Sequence, residues 1–177
     1  LYLSQTIDDF RNIFSPNKQK SSFYIKTLVD TTLNLISTQF KSKDIEIINN
    51  IENVEIYNYE NELMQALINI LNNAKDELIK KDYERFIFID IYKNEEELII
   101  SVKDNAGGIK EENLEKIFEP YFTTKHQSQG TGIGLYMTEE IITKHLNGTI
   151  EAENINFTYN NKQYKGASFT IRLDIKK

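Results

Sequence analysis

The sequence predicts an α+β two-layer sandwich. Segments of helical period and segments of strand alternation are interspersed along the chain. The strand-like segments come in pairs joined by short polar turns, which reads as hairpins packed on helices. The 177 residues, 40% hydrophobic and 27% charged, suffice for one soluble-type domain with a sizeable core.

The elements follow in order. At the start, Leu3, Ile7, Phe10 and Phe14 are spaced 4, 3, 4. That spacing fits a coiled-coil seam and, equally, an amphipathic helix packed on its own domain. Ser15-Pro16-Asn17 ends this helix and marks a candidate domain boundary. Between Tyr24 and Lys41, residues Ile25, Leu28, Val29, Leu33, Ile36 and Phe40 keep a helical period. Ile45 and Ile47, then Ile48 and Ile51 on a shifted face, suggest a strand, and Glu55–Tyr59 a second, short one. A strong helix follows over Asn61–Lys81. Leu63, Ala66, Leu67, Ile70, Leu71, Ala74 and Leu78 form its apolar stripe, and Asn69, Asn73 and Asp76 lie on its other face. Phe86–Tyr92 and Leu98–Val102 read as paired strands around the charged turn Lys93-Asn94-Glu95-Glu96. Asp104–Gly108 is a loop, residues 119–131 a polar connection, and Thr131–His145 a helix stopped near Asn147-Gly148. Thr149–Tyr159 and Lys165–Ile175 form a last hairpin turning at Asn160–Gln163, with Phe169, Ile171 and Leu173 pointing inward.

Composition excludes several classes. No apolar run approaches the roughly 18–20 residues that a membrane span needs. The opening Leu1-Tyr2-Leu3-Ser4-Gln5 has no basic stretch before an apolar one, so it is not a signal peptide. The chain does not begin with Met and reads as an excerpt, which leaves room upstream for a membrane anchor. The lack of cysteine rules out disulfides and thiolate metal sites and suits a reducing compartment, so a cytoplasmic location is expected. A net charge of −6 argues against a nucleic-acid partner. A polyanionic ligand must then be drawn in locally, by a metal ion, a lysine or a helix N-terminus.

Candidate chemistry starts from glycine. Five of the seven glycines fall in two clusters, Gly107-Gly108 and Gly130, Gly132 and Gly134. Glycine is costly in ordered structure and useful where backbone must approach a ligand. Gly130-Thr131-Gly132-Ile133-Gly134-Leu135 leads straight into a helix, so free N–H groups and the helix dipole there suit a phosphate. The run lacks the Gly-Lys-Ser/Thr ending of a Walker loop, and the polar residues 125–129 before it are not the strand of a dinucleotide fingerprint. Asp104, at a strand end, can accept a hydrogen bond from an exocyclic amine such as that of adenine. Taken alone it reads better as a solvated turn aspartate. Asn69 and Asn73 are spaced i, i+4 and share a helix face. An amide oxygen there is a hard ligand suited to Mg²⁺ beside phosphate oxygens, and an exposed polar face is the plain alternative.

Together and in this order, these features resemble the ATP-binding domain of sensor histidine kinases, within the superfamily that includes gyrase, Hsp90 and MutL. An asparagine box runs over Gln65–Ala74, a first glycine box over Asp104–Ile109, a phenylalanine box over Phe118–Lys125 and a second glycine box over Gly130–Leu135. Gly166–Ile171 is similar to the family's closing strand, and the match covers residues 22–175. The resemblance implies a Bergerat-type ATP-binding fold, a mixed and mostly antiparallel sheet on about three helices. It implies ATP and Mg²⁺ as substrate and cofactor, with Asn73 on the metal. Asp104 would hold the adenine amine, with Gly108 and Ile109 close by. Gly130, Thr131, Gly132, Ile133, Gly134 and Leu135 would cradle phosphates. Lys125 would belong to a mobile lid and Phe118 would anchor it. Residues 1–15 are then the end of a dimerisation and histidine-phosphotransfer helix, 16–22 a linker and 23–177 the ATP-binding domain. The implied partners are that dimerisation domain, in a homodimer, and through it a response regulator.

Three departures qualify the match. Ala106 stands where the family usually has glycine. Asp76-Glu77 stand where many members place Lys-Tyr, and Lys75 is about 100° around the helix; Asp76 is expected to reach metal-bound water instead. The phosphoacceptor's helix is missing, and neither His126 nor His145 is assigned that role. ATPase relatives carry a glutamate one turn before the metal asparagine, where this chain has Asn69. That change favours transfer to a histidine over hydrolysis. A superfamily ATPase and a degenerate ATP-binding scaffold are the rival readings.

Overall fold

The structure is a computed structural model in which residues 19–122 and 134–175 are described. Strand β1 (Ser21–Tyr24) leads directly into helix α1 (Ile25–Lys41). Strands β2 (Ile45–Ile51) and β3 (Glu55–Asn58) precede helix α2 (Glu60–Leu78). The hairpin β4 (Arg85–Lys93) and β5 (Glu97–Asp104) is followed by a single helical turn, α3 (Glu111–Leu114). Helix α4 (Gly134–Glu140) runs on into a π-helical turn, Ile141–His145, and β6 (Thr149–Tyr159) and β7 (Lys162–Asp174) close the fold.

The main sheet has the order β2-β4-β5-β7-β6. Its β2–β4 pair is parallel and the other pairs are antiparallel. A parallel neighbour needs a long crossover, and β3 with α2 provides it. The expected mixed, mostly antiparallel sheet and two-layer sandwich are what the chain forms. One face of the sheet carries Ile87, Ile89, Ile91, Leu98, Ile100, Val102, Phe169, Ile171 and Leu173, all buried against the apolar stripes of α1 and α2. At about 25 cal/mol per Å² of apolar surface, this single cluster is the main term holding the two layers together.

Strand β1 was not legible in the sequence. Ser21-Ser22-Phe23-Tyr24 shows no period, and the strand exists because it pairs with β3, Ser21 opposite Asn58 through Tyr24 opposite Glu55. The stretch 16–22 expected as linker thus ends inside a strand. This pairing also starts α1: Tyr24 offers no side-chain cap, and the Ile25 N–H is satisfied by the Val54 carbonyl at 2.9 Å.

The helix expected over 131–145 is described from Gly134, and its last turn is wider than an α-helix. Leu146 N–H donates to Ile141 O at 2.9 Å, an i to i+5 bond. The consecutive residues Ile141 and Ile142 are both fully buried, which the wider π turn permits and a uniform 100° step does not favour. The stop falls where expected, with Asn147 at φ 56° and Gly148 so close that a Cβ would lie 2.5 Å from Arg172 O. The final turn is shorter than expected. Asn160 and Asn161 alone make it, both at positive φ, so β7 begins at Lys162. This is the two-residue hairpin geometry that suits twisted strands.

Candidate functional site

The sequence places Asp104 at the end of β5, on the helix-facing side of the sheet. Burial is deep: Asp104 is 4% exposed. Two main-chain donors converge on one of its oxygens, Ala106 N–H at 2.9 Å and Ala167 N–H at 3.3 Å, both to Oδ1. Oδ2 has no donor among the described residues. Burial raises the carboxyl pKa to about 6; the two backbone hydrogen bonds oppose the shift and nearby Glu77 adds to it. With one oxygen held by the fold, the carboxylate keeps its second oxygen as an acceptor for a further donor.

The loop after Asp104 is set by main-chain geometry. Gly107 and Gly108 both lie in the left-handed region, at φ 95° and 90°, which side chains resist. A Cβ on Gly108 would sit 2.7 Å from Asn154 Oδ1. Ala106, the departure from the family pattern, is not among the positive-φ residues, and its methyl is buried in the core. The extra carbon therefore costs nothing there. Asn105 anchors the loop from below: its Nδ2 donates to Glu84 O at 2.7 Å and its Oδ1 accepts Phe86 N–H at 2.8 Å.

Helix α2 brings the asparagine face to the same end of the sheet. Glu77, whose charge acts on Asp104, lies one turn beyond Asn73 on α2, so Asn73 shares its face. No hydrogen bond from the Asn73 side chain to a described residue is present. Beside it, the Asn72 Oδ1 is buried and has no partner. Asn69 is engaged: its Oδ1 accepts from Gln65 Nε2 at 2.7 Å, and its Nδ2 reaches Gly134 O at 3.5 Å. Gly134 and Leu135, at the start of α4, are therefore brought against the asparagine helix. Asp76 lies on α2 next to these groups.

Asn69, Asn73, Asp76, Asp104, Gly108, Ile109, Gly134 and Leu135 thus gather at one end of the sandwich. Lys125, Gly130, Thr131, Gly132 and Ile133 lie outside the described residues. Phe118 packs edge-on against Phe169, centroids 6.3 Å apart, at the rim of the core. Lys75 is turned away, its Nζ 5.8 Å from the Phe40 ring centroid, so it does not replace the lysine missing at position 76. His145 pairs with the buried Glu62, Nδ1 to Oε2 at 3.0 Å.

The sequence reading missed two residues here, Lys81 and Asn154, and placed a third, Gly166, only in the closing strand. Lys81 Nζ lies 3.6 Å from the position of a Cβ on Gly107; its position past the apolar stripe gave no sign of this. Gly166 packs on Asp104 so tightly that a Cβ would overlap the Asp104 carbonyl oxygen. Its being one of two glycines outside the clusters was the available signal. Asn154, a polar residue in an ordinary edge strand, gave none.

The residues present fit a small hard cation. The amide of Asn73, with no side-chain hydrogen bond to a described residue, is an oxygen donor of the type Mg²⁺ accepts; the buried, unpartnered Oδ1 of Asn72 lies about 100° around the helix from it. No group of three or more His, Cys, Asp or Glu side chains that could hold a metal occurs among the described residues. A cation here would complete its shell with phosphate oxygens and water, as Mg²⁺ commonly does.

Comparison with known proteins places this geometry. Residues 58–177 match the family described as histidine kinase-, DNA gyrase B-, and HSP90-like ATPases, and the chain belongs to that family. The relatives it resembles are sensor kinases. The two-component sensor PprA of Pseudomonas aeruginosa is 35% identical over 118 residues, 64% of this chain and 12% of that one. Sporulation kinase B of Bacillus subtilis is 29% identical over 156 residues, 88% of this chain and 34% of that one. Among solved structures, the catalytic domain of the histidine kinase ThkA superposes with a TM-score of 0.74 at 25% identity, covering 90% of this chain and 99% of that one. The chain therefore spans about a third or less of the length of these curated relatives, and it corresponds to the catalytic domain of a histidine kinase.

Proposed function

We propose that residues 23–177 bind Mg-ATP and donate its γ-phosphate to a histidine on a separate dimerisation domain, in two-component signalling. Residues 1–15 are read as the end of that domain's second helix and 16–22 as the linker. The whole protein is read as a homodimer that passes phosphate on to a response regulator. The observation that carries this reading is Asp104, a buried carboxylate with Oδ1 committed to two backbone donors and Oδ2 open.

In this mechanism Asp104 accepts the adenine amine through Oδ2, and Gly108 and Ile109 form the wall beside the base. A guanine would present a carbonyl to the same oxygen and be repelled. Asn73 would hold Mg²⁺, which when bound would supply charge neutralisation for the transferring phosphoryl group. By the resemblance, the second glycine box, Gly130–Leu135, is assigned the phosphates and Lys125 the lid segment. What remains for the protein is positioning the γ-phosphate in line with the acceptor. Asn69 is an amide, engaged with Gln65 and Gly134, and an amide takes no proton at neutral pH. Without a base in that place water is not activated, and the phosphate is kept for a histidine.

Calorimetry with Mg-ATP on the chain and on Asp104→Ala tests the first half. Binding by the chain and at least hundredfold weaker binding by the variant are expected; no binding at millimolar nucleotide would leave a scaffold domain. Joining the chain to its upstream helices tests the second half. Phosphate appearing on a histidine is expected, and rapid turnover of ATP without it would indicate an ATPase.

A further inference from the structure

Asn154 lies on β6, 45 positions along the chain from the loop that ends at Ile109, yet its side chain makes two reciprocal bonds to that residue. Its Nδ2 donates to Ile109 O at 2.6 Å, and its Oδ1 accepts Ile109 N–H at 2.7 Å. One amide thus satisfies both main-chain groups of the residue that follows two left-handed glycines, as a neighbouring strand would. Among the described residues Ile109 has no other hydrogen bond. The loop also lies in contact with this amide, since a Cβ on Gly108 would meet Asn154 Oδ1 at 2.7 Å.

The register gives the contact its meaning. Asn154 faces Ala167 across the β6–β7 ladder. Ala167 N–H is one of the two donors on Asp104 Oδ1. Next to it, Gly107 N–H donates to Lys165 O at 2.9 Å. A single rung of the hairpin therefore fixes both the acceptor carboxylate, through Ala167, and the wall opposite it, through Asn154. The Asp104 carboxylate and the Ile109 main chain are thus both tied to that rung.

We propose that Asn154 is a positioning residue for the nucleotide base: it holds the 107–109 loop at the distance from Asp104 that admits adenine, and so sets both affinity and purine selectivity. This rests on the nucleotide-binding reading above. The side chain acts through Ile109 and touches no reacting atom.

The test is calorimetry of the full chain with Mg-ATP and Mg-GTP, alongside Asn154→Ala and the near-isosteric Asn154→Asp, which keeps the acceptor and loses the donor. Both variants are expected to bind ATP at least tenfold more weakly, at one nucleotide per chain as before. The ratio of GTP to ATP dissociation constants is expected to fall towards one, because a loosened wall no longer fixes the base against Asp104. An unchanged dissociation constant and ratio in both variants would overturn the proposal. So would a loss seen only as a lower stoichiometry at the original dissociation constant, since that reports fewer folded chains and a merely structural role. If the unmutated chain binds no nucleotide at millimolar concentration, the nucleotide-binding reading falls and this proposal with it. Binding by the unmutated chain with indifferent variants overturns this proposal alone.

Discussion

At the scale of single residues, the site carries a stability cost at Asp104. Its carboxyl pKa is raised from 3.8 to about 6, chiefly by burial. A raised acid pKa means the folded chain keeps a proton that the unfolded chain has lost, so stability falls as pH rises from 3.8 to about 6 and stays lower above it. Asp104→Asn removes that charge. The variant is expected to be more stable at pH 7 by up to about 3 kcal/mol, read from urea unfolding, while losing ATP binding. The same pKa sets the pH dependence of affinity. Only the ionised carboxylate accepts on both oxygens, so ATP affinity is expected to drop about tenfold per unit below pH 6, measured by calorimetry between pH 5 and 7.5. Affinity that stays flat over that range would mean Asp104 does not hold the base.

At the scale of elements, the β6–β7 hairpin does more than close the sheet. Its outer end folds over β4, where Phe88 meets Phe157 and Tyr159 edge-on with centroids 5.4 and 4.9 Å away. Lys103 Nζ lies 4.5 Å from the Phe157 centroid and 5.0 Å from that of Phe88. The inner part of the hairpin holds Asp104 and the glycine loop. Gly166 is where the two requirements meet, because β7 must lie against the Asp104 carbonyl. Gly166→Ala is expected to cost about 3 kcal/mol or more, by urea unfolding, and to abolish ATP binding. A variant as stable as the parent would show that the strand can shift without cost. The π turn at Ile141–His145 plays a similar packing role, turning two consecutive isoleucines inward.

At the scale of the whole molecule, one hydrophobic cluster spans the helices, the small β1–β3 sheet and the main sheet. Such a core predicts cooperative unfolding. Leu67 is almost fully buried at its centre, and Leu67→Ala is expected to cost about 2–5 kcal/mol. The transition is expected to move as one in tyrosine fluorescence, the chain having no tryptophan, and in far-UV circular dichroism. Two separated transitions would show that the β1–β3 layer melts by itself. The acidic balance of the chain, −6 overall, gives no general attraction for a polyphosphate. In the proposed function the burden of binding it falls on the local groups around Asn73, Asp104 and the α4 entrance.

By itself the sequence determined the fold class, the main helices and both hairpins. These follow from periods of 3.6 and 2 and from glycines placed where backbone must turn, signals that are local in the chain. Asp104 remained a plain turn aspartate until its neighbours in sequence gave it company. Only the tertiary structure decided how deeply it is buried, that one oxygen is taken and the other open, that Ala106 is harmless, and that Lys75 is turned towards Phe40. It also supplied β1, a strand made by its partner β3, and it singled out Asn154 and Gly166. Those features arise from contacts between residues tens of positions apart, and no local pattern encodes which rung of β6–β7 comes to rest against the end of β5.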